Sequence, residues 1–266
     1  MTRTQFSHQD GRTLAIDGAE LYVEEIGNPD GPAVLMLHGG FGSCETFNAI
    51  TPALAPRYRL IGIDSRGQGQ STLGDAPLSY ARLQKDVEAI TRQLGLSRYS
   101  VIGFSDGGIL ALRLAANPNN PIDRIISIGG HWQLAADDPT RATFAKISTA
   151  FWKKYFPEEY ARYHEVNPAP DFDTLVDRIR VLWLDDTEDG YPGELVRHIR
   201  VPLLAIHGED DPVVLRSNPL ELVERVNGAR LLWLPFTGHA SHEERPGWIT
   251  PAIEVFLGMD DRNPVV

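Results

Sequence analysis

At 266 residues and 42% hydrophobic content, the chain can bury one sizeable core, and an α/β domain of this length is usually single. A net charge of −11 and a pI near 5.2 argue against nucleic acid or an anionic membrane surface as the main partner, since the average surface would be repelled by either. The single cysteine, Cys44, excludes an internal disulfide and any metal site built from cysteines, and fits a reducing compartment. The first ten residues lack the apolar core of a signal peptide, and no apolar run approaches a membrane span, so a cytoplasmic protein is expected.

In chain order, Thr13 to Ile16 and Glu20 to Glu25 are short, partly alternating runs parted by Asp17-Gly18, which predicts an antiparallel hairpin. Ala33 to Leu37 is continuously apolar and ends at His38-Gly39-Gly40-Phe41-Gly42, the pattern of a mid-sheet strand capped by a glycine loop. A second buried strand, Arg59 to Ile63, leads into Asp64-Ser-Arg-Gly-Gln-Gly-Gln-Ser71. Ser79 is an expected N-cap for a helix whose stripe is Leu83, Val87, Ile90 and Leu94 and whose end is Gly95. A strand ending at Phe104, a helix after Ser105 and a strand over Ile122 to Ile128 follow. Such alternation predicts a mainly parallel sheet with right-handed crossovers and a site at the carboxyl ends of its strands.

The alternation breaks over 131–199, a stretch that holds nearly half of the chain's aromatic residues, among them Trp132, Trp152 and Trp183. It reads as a helical cap inserted into a core formed by 1–130 and 200–258, with 259–266 as a tail. Most of its aromatics should pack its own small core, and its inner face should wall an apolar pocket. Beyond it the sequence predicts strand Val201 to Ile206, helix Leu220 to Val226, strand Arg230 to Leu234 and a last helix from about Glu244 to Leu257.

The chemistry centres on Gly103-Phe104-Ser105-Asp106-Gly107, where an apolar strand turns sharply into a helix. A serine at such a turn is lifted above its strand, and the glycines two residues to either side leave room for strand and helix to close up. The amide of Asp106 then faces the space in front of the hydroxyl, where an oxyanion would need a donor. A serine needs a base within reach, and the base needs an acid. Two later strands end in candidates: Glu209, Asp210 and Asp211 beyond one, His239 beyond the next. His239 is preferred over His242 because Gly238 lets a short loop turn back over the site; Asp211 is preferred, with Asp210 as the alternative. His207 should end its strand inside the fold. Cys44, with no base apparent beside it, should be a buried thiol.

Taken together, these motifs resemble the α/β-hydrolase fold family over nearly the whole chain outside the insertion: His38-Gly39-Gly40, Asp64 to Ser71, Gly103 to Gly107, Gly208-Glu-Asp-Asp211, and Gly238-His239 with Glu244 and Pro246. The resemblance implies a mostly parallel sheet with helices on both faces and an inserted helical cap. It selects Asp211, three residues past Gly208, as the acid, and assigns the second oxyanion amide to Gly40, after His-Gly. It implies acyl transfer through Ser105, His239 and Asp211, with no metal or organic cofactor and a small-molecule ester as partner. Serine at 105 speaks against the dehalogenases and epoxide hydrolases of this fold, which use aspartate. Phe41 and Trp132 are candidate substrate contacts. Asp106 has two readings: a first-turn acid favoured by the helix dipole, or the receptor of a substrate ammonium. The second draws on a local similarity of Gly-Phe-Ser-Asp-Gly-Gly to the valacyclovir hydrolases. A carboxylesterase of small to medium substrates is expected; a carbon–carbon bond hydrolase with the same triad and a ligand receptor without turnover are the alternatives.

Overall fold

The hairpin expected at the start is present in a computed structural model that describes residues 3–259. Strand β1 (Arg12–Ile16) pairs antiparallel with β2 (Ala19–Gly27) across Asp17 and Gly18, both at positive φ as a tight hairpin turn requires. β3 (Ala33–Leu37) lies between β4 (Arg59–Ile63) and β5 (Tyr99–Phe104), followed across the sheet by β6 (Ile122–Ile128), β7 (Leu203–Gly208) and β8 (Arg230–Leu234). The eight strands run in the order β1-β2-β4-β3-β5-β6-β7-β8, and every neighbouring pair from β4 to β8 is parallel.

The helices follow in sequence. A 3₁₀ turn (Cys44–Ala49) and α1 (Thr51–Leu54) connect β3 to β4. α2 (Tyr80–Gln93) starts where the sequence places its cap, with Ser79 Oγ accepting from Arg82 N at 3.1 Å. α3 (Asp106–Ala116) leaves the turn after β5. Between β6 and β7 stand α4 (Thr140–Phe144), α5 (Thr149–Tyr155), α6 (Pro157–Val166), α7 (Phe172–Trp183) and a 3₁₀ turn (Gly193–His198), with no strand among them. α8 (Ser217–Arg225) links β7 to β8; α9 (Ser241–Glu244) and α10 (Pro246–Gly258) close the described chain.

Three boundaries differ from the sequence expectation. β7 starts at Leu203 because Pro202 has no N–H for the ladder, although its carbonyl still accepts from Ile125 N at 3.0 Å. α8 starts three residues earlier than expected, at Ser217. The last helix breaks at Arg245 (φ −138), because Pro246 excludes the residue before it from the helical region. Of the tail expected at 259–266, residues 260–266 lie outside the described residues.

The continuous apolar run of β3 is explained by burial on both faces. Leu35 and Leu37 join a core shared with α2, α3 and the insertion's Phe172, Leu175 and Ile179, while Val34 and Met36 join one with Phe47, Leu54, Ile249 and Phe256. No helix among the described residues is long and apolar enough to cross a membrane. The chain passes from β3 to β4 on one side and to β5 on the other. The carboxyl ends of β3 and β5 therefore flank the point where strand order reverses, the place where open α/β sheets form a crevice.

Candidate active site

The two loops at that point are locked together by close backbone contact. Leu37 in β3 lies opposite Gly103 in β5, and Gly107 N donates to His38 O at 3.0 Å. A Cβ on Gly103 would stand 2.0 Å from Gly107 O, and one on Gly107 would stand 1.8 Å from Leu37 O, so neither position admits a side chain. Ser105 sits between them at φ 51, ψ −115, an uncommon conformation for a non-glycine residue, pinned by its own N–H to Ile128 O at 2.8 Å.

The candidate base arrives from the far side of the sheet. β8 is three strands from β5, about 14 Å at the usual strand spacing, so the loop after β8 has to fold back over β7 and β6. Gly238 N donates to Glu244 Oε2 at 2.8 Å, and Asp210 N to Thr237 O at 2.9 Å, which brace that loop at both sides. Gly129, at the end of β6, lets the loop pass: a Cβ there would stand 3.0 Å from His239 Cε1. His239 thus rests beside the residue that precedes the serine, with its ring 5.1 Å from that of Phe104.

Asp211 meets His239 with its carboxylate buried. Its Oδ2 lies 2.8 Å from His239 Nδ1, and its Oδ1 accepts from Val213 N (2.7 Å) and Val214 N (3.0 Å). Burial pushes Asp211 up, but His239 and the two amides outweigh it and hold the carboxyl below its ordinary range. An ionised carboxylate can only accept, so Nδ1 carries the ring proton and Nε2 is left as the acceptor. Asp210, the alternative acid, gives its backbone to the loop brace instead.

Gly40 and Phe41 occupy the loop after β3. Phe41, at φ 61 and buried, packs against Trp152 (4.1 Å between ring centres), Phe172 (5.4 Å) and Trp183 (5.7 Å) of the insertion. Trp183 also reaches Asp106, which is 5% exposed: Asp106 Oδ1 accepts from Trp183 Nε1 and from Tyr80 Oη, both at 2.8 Å. Its Oδ2 has no partner among the described residues and faces Gly40, where a Cβ would stand 2.9 Å away. Burial raises the Asp106 carboxyl to about 6, against the lowering effect of Tyr80, Trp183 and His239. It is a first-turn helix acid, but one turned into the protein, where its charge at neutral pH is opposed by burial.

A family model for the alpha/beta hydrolase fold matches residues 32–174. The chain belongs to the α/β hydrolase fold family. It is similar to the serine hydrolase BPHL of Mus musculus, 27% identical over 92% of this chain and 85% of that protein. It is also similar to a putative carbamate hydrolase, RutD, of Caulobacter sp. (strain K31), 28% identical over 91% of this chain and 96% of that protein. Among solved structures, the meta-cleavage product hydrolase of Pseudomonas fluorescens IP01 shares the fold, with a TM-score of 0.78 at 19% identity, covering 93% of this chain and 97% of that one.

The other candidate contact of this α/β hydrolase, Trp132, follows the end of β6. The Trp132 ring lies under the Arg225 guanidinium of α8, 4.0 Å from it, while its backbone N–H donates to Asn218 Oδ1 at 3.0 Å. The residue before it, His131, is buried among Phe144 and Tyr191, with Nε2 unpartnered; burial and the nearby His239 bring it down to about 4. His242, the competing base, is fully buried between Phe104 (4.5 Å) and Phe47 (5.5 Å), and burial drops it to about 3. His207, one residue before the end of β7, lies inside the fold with its ring tilted against that of Trp233 at 4.9 Å.

Sequence reading missed Tyr80 and Trp183 as partners of Asp106. It also missed His8, which stands 3.7 Å from the buried Cys44 sulfur. His8 Nε2, Cys44 Sγ and an Asp64 oxygen lie within 4.8 Å of one another, but they do not fit a metal ion. Nε2 and Asp64 Oδ2 are in direct hydrogen bond at 2.7 Å, closer than two ligands of one ion sit, and burial pushes the thiol well up.

Proposed function

We propose that this α/β hydrolase is a serine esterase that cleaves carboxylic esters of small to medium size through an acyl-enzyme on Ser105. The observation that carries the reading is the 2.8 Å contact from His239 Nδ1 to Asp211 Oδ2 beside a serine held at positive φ. Ser105 attacks the acyl carbonyl, His239 takes its proton at Nε2 and passes it to the leaving alcohol, and Asp211 holds the ring tautomer and balances the imidazolium. The amides of Gly40 and Asp106 receive the oxyanion, each donor worth on the order of 10²–10³ in turnover. Water then resolves the acyl-enzyme through the same histidine. Residues 131–199 act as the cap over a core of 1–130 and 200–258, with Phe41 walling the pocket beneath it.

The unpartnered, buried Oδ2 of Asp106 favours substrates that carry an ammonium next to the ester carbonyl. Such a group supplies the missing donor and the counter-charge, so that the carboxylate beside the nucleophile no longer opposes the oxyanion. The similarity to the mouse serine hydrolase supports hydrolysis through a serine.

The test is steady-state hydrolysis of p-nitrophenyl esters from acetate to octanoate, together with one α-amino-acid ester, by wild type, Ser105→Ala and Asp106→Asn. Wild-type turnover that Ser105→Ala abolishes, with a selective loss on the amino ester in Asp106→Asn, is the expected result. Full activity in Ser105→Ala sinks the mechanism. A wild type inert on every ester but active on a vinylogous diketone replaces the esterase reading with carbon–carbon bond hydrolysis.

A further inference from the structure

Behind the loop that carries Gly40 lies a buried ionic cluster that the triad does not use. Glu24 of β2 is fully buried and gathers the N-terminal arm: its oxygens accept from Ser7 N (3.1 Å), His8 N (3.0 Å), Tyr22 Oη (3.3 Å) and Arg3 Nη1 (2.8 Å). The arm turns at His8 with φ 59, a conformation that costs energy for a non-glycine residue. That turn drives the imidazole inward, where Nε2 lies 2.7 Å from Asp64 Oδ2 and Nδ1 lies 3.0 Å from Glu45 Oε1.

Each carboxylate is tied to a different part of the site. Asp64 Oδ1 accepts from Cys44 N at 2.8 Å, at the foot of the loop that begins at His38. Glu45, one residue on, accepts two bonds from Arg162 of α6, Nη2 to Oε1 at 2.6 Å and Nε to Oε2 at 3.0 Å. From α6, Tyr160 and Tyr163 pack on Phe172 at 4.9 and 5.1 Å, and Phe172 packs on Phe41 at 5.4 Å. His8 is therefore the joint between the N-terminal arm, the glycine loop and the insertion.

A neutral imidazole could donate to one of these carboxylates and would turn a lone pair on the other; only the cation serves both. Burial pulls His8 down, but Asp64 and Glu45 prevail and raise it to about 9, while His8 and Arg162 hold Glu45 at about 2 against its own desolvation. The other groups facing the ring do not change charge between pH 7 and 10. Asp64 is held low, the Cys44 thiol and the Tyr22 phenol are pushed up, and the cations behind the carboxylates are arginines, Arg3 and Arg162.

We propose that His8 is a positioning residue of the active site: as a cation clamped between Asp64 and Glu45, it fixes the loop that presents the Gly40 amide and, through Arg162, the helix that backs Phe41. This rests on the reading of Gly40 as an oxyanion donor. It predicts that deprotonating His8 loosens the oxyanion loop and lowers kcat rather than ester binding.

The experiment follows kcat and KM for p-nitrophenyl acetate from pH 7 to 10 in wild type, Glu45→Gln and Arg162→Leu. It adds hydrogen exchange of residues 38–46 and 157–166 at one pH, and labelling of Ser105 by a fluorophosphonate. In wild type kcat falls several-fold as pH rises through about 9, with KM and far-UV circular dichroism steady. Glu45→Gln moves that fall to lower pH by about one unit, because His8 loses a carboxylate. Arg162→Leu moves it the other way, because Glu45 then answers to His8 alone; a merely loosened fold does not give shifts of opposite sign. Residues 38–46 exchange faster in Glu45→Gln while β7 and β8 do not change. A labelled, active wild type whose kcat stays flat to pH 10, or a fall that neither variant moves, overturns the proposal. An enzyme that neither labels nor turns over esters, yet shows the faster exchange in Glu45→Gln, sinks the esterase reading and leaves the clamp standing.

Discussion

Two histidine–carboxylate contacts of nearly equal length sit in opposite surroundings in this molecule. His239 Nδ1 lies 2.8 Å from Asp211, and His8 Nε2 lies 2.7 Å from Asp64. Around His239 a single carboxylate is engaged at Nδ1, and that carboxylate's second oxygen is filled by two backbone amides. Around His8 both ring nitrogens are taken, the second by Glu45. In the readings proposed above, the first environment leaves an acceptor for proton transfer and the second holds a cation. What separates a base from a brace is the second nitrogen, and the distance to the first carboxylate does not report it.

Exchanging the two carboxylates for amides should separate the roles. Asp211→Asn keeps the shape but lets His239 hold the wrong tautomer, so turnover of an active ester should fall by roughly 10⁴ while stability changes little. Asp64→Asn should act first on the fold, leaving the His8 cation short of a buried partner at a cost of about 3–5 kcal/mol in urea unfolding, with kcat falling only several-fold as the oxyanion loop loosens. If Asp211→Asn loses mainly stability, or Asp64→Asn loses turnover as steeply as Asp211→Asn, the division of labour between the two histidines is wrong.

Titration sharpens the contrast further. His8 is raised from 6.5 to about 9, so its stabilisation is fully present below pH 6.5 and is lost as pH climbs through about 9. A shift of that size corresponds to about 3 kcal/mol, visible as a decline in unfolding free energy between those limits. Asp106 is raised too, from 3.8 to about 6, because burial penalises its charge. Its favourable protonated form is complete below pH 3.8 and gone above about 6, so the ionised carboxylate burdens the fold at neutral pH. Asp106→Asn should therefore stabilise the protein by about 1–3 kcal/mol at pH 8 and hardly at all at pH 4, even as it weakens selectivity for an amino ester.

The strand-end half of this comparison was readable from sequence, and the clamp was not. Ser105, Gly40, Asp211 and His239 each lie just past a short apolar run with a glycine near its end, so register and strand order deliver them to one rim of the sheet. His8, Glu45, Asp64 and Arg162 come from four unrelated stretches, and no local period marks their meeting. Asp106 drew two readings from the sequence, but its partners Tyr80 and Trp183 depend on which face α2 and α7 present inward. Helical spacing names a stripe and leaves its target open. The start of β7 and the break at Arg245 were missed for simpler reasons, since Pro202 and Pro246 act on the residues beside them and were read through as if neutral.

The smallest predicted effect concerns Trp132, expected from sequence as a substrate contact. Its ring stacks beneath Arg225, and a cation–π contact of this kind contributes about 0.5–1 kcal/mol. Arg225 also donates to Glu221 O and pairs with Glu194, both near the surface, where ion pairs contribute little. Arg225→Met keeps an apolar cover over the indole and should cost that same fraction of a kcal/mol in urea unfolding, with kcat/KM unchanged within about twofold across the ester series. A loss of kcat/KM that grows with acyl length would mean that the opposite face of Trp132 lines the pocket and that Arg225 positions it, as the sequence reading of Trp132 expects.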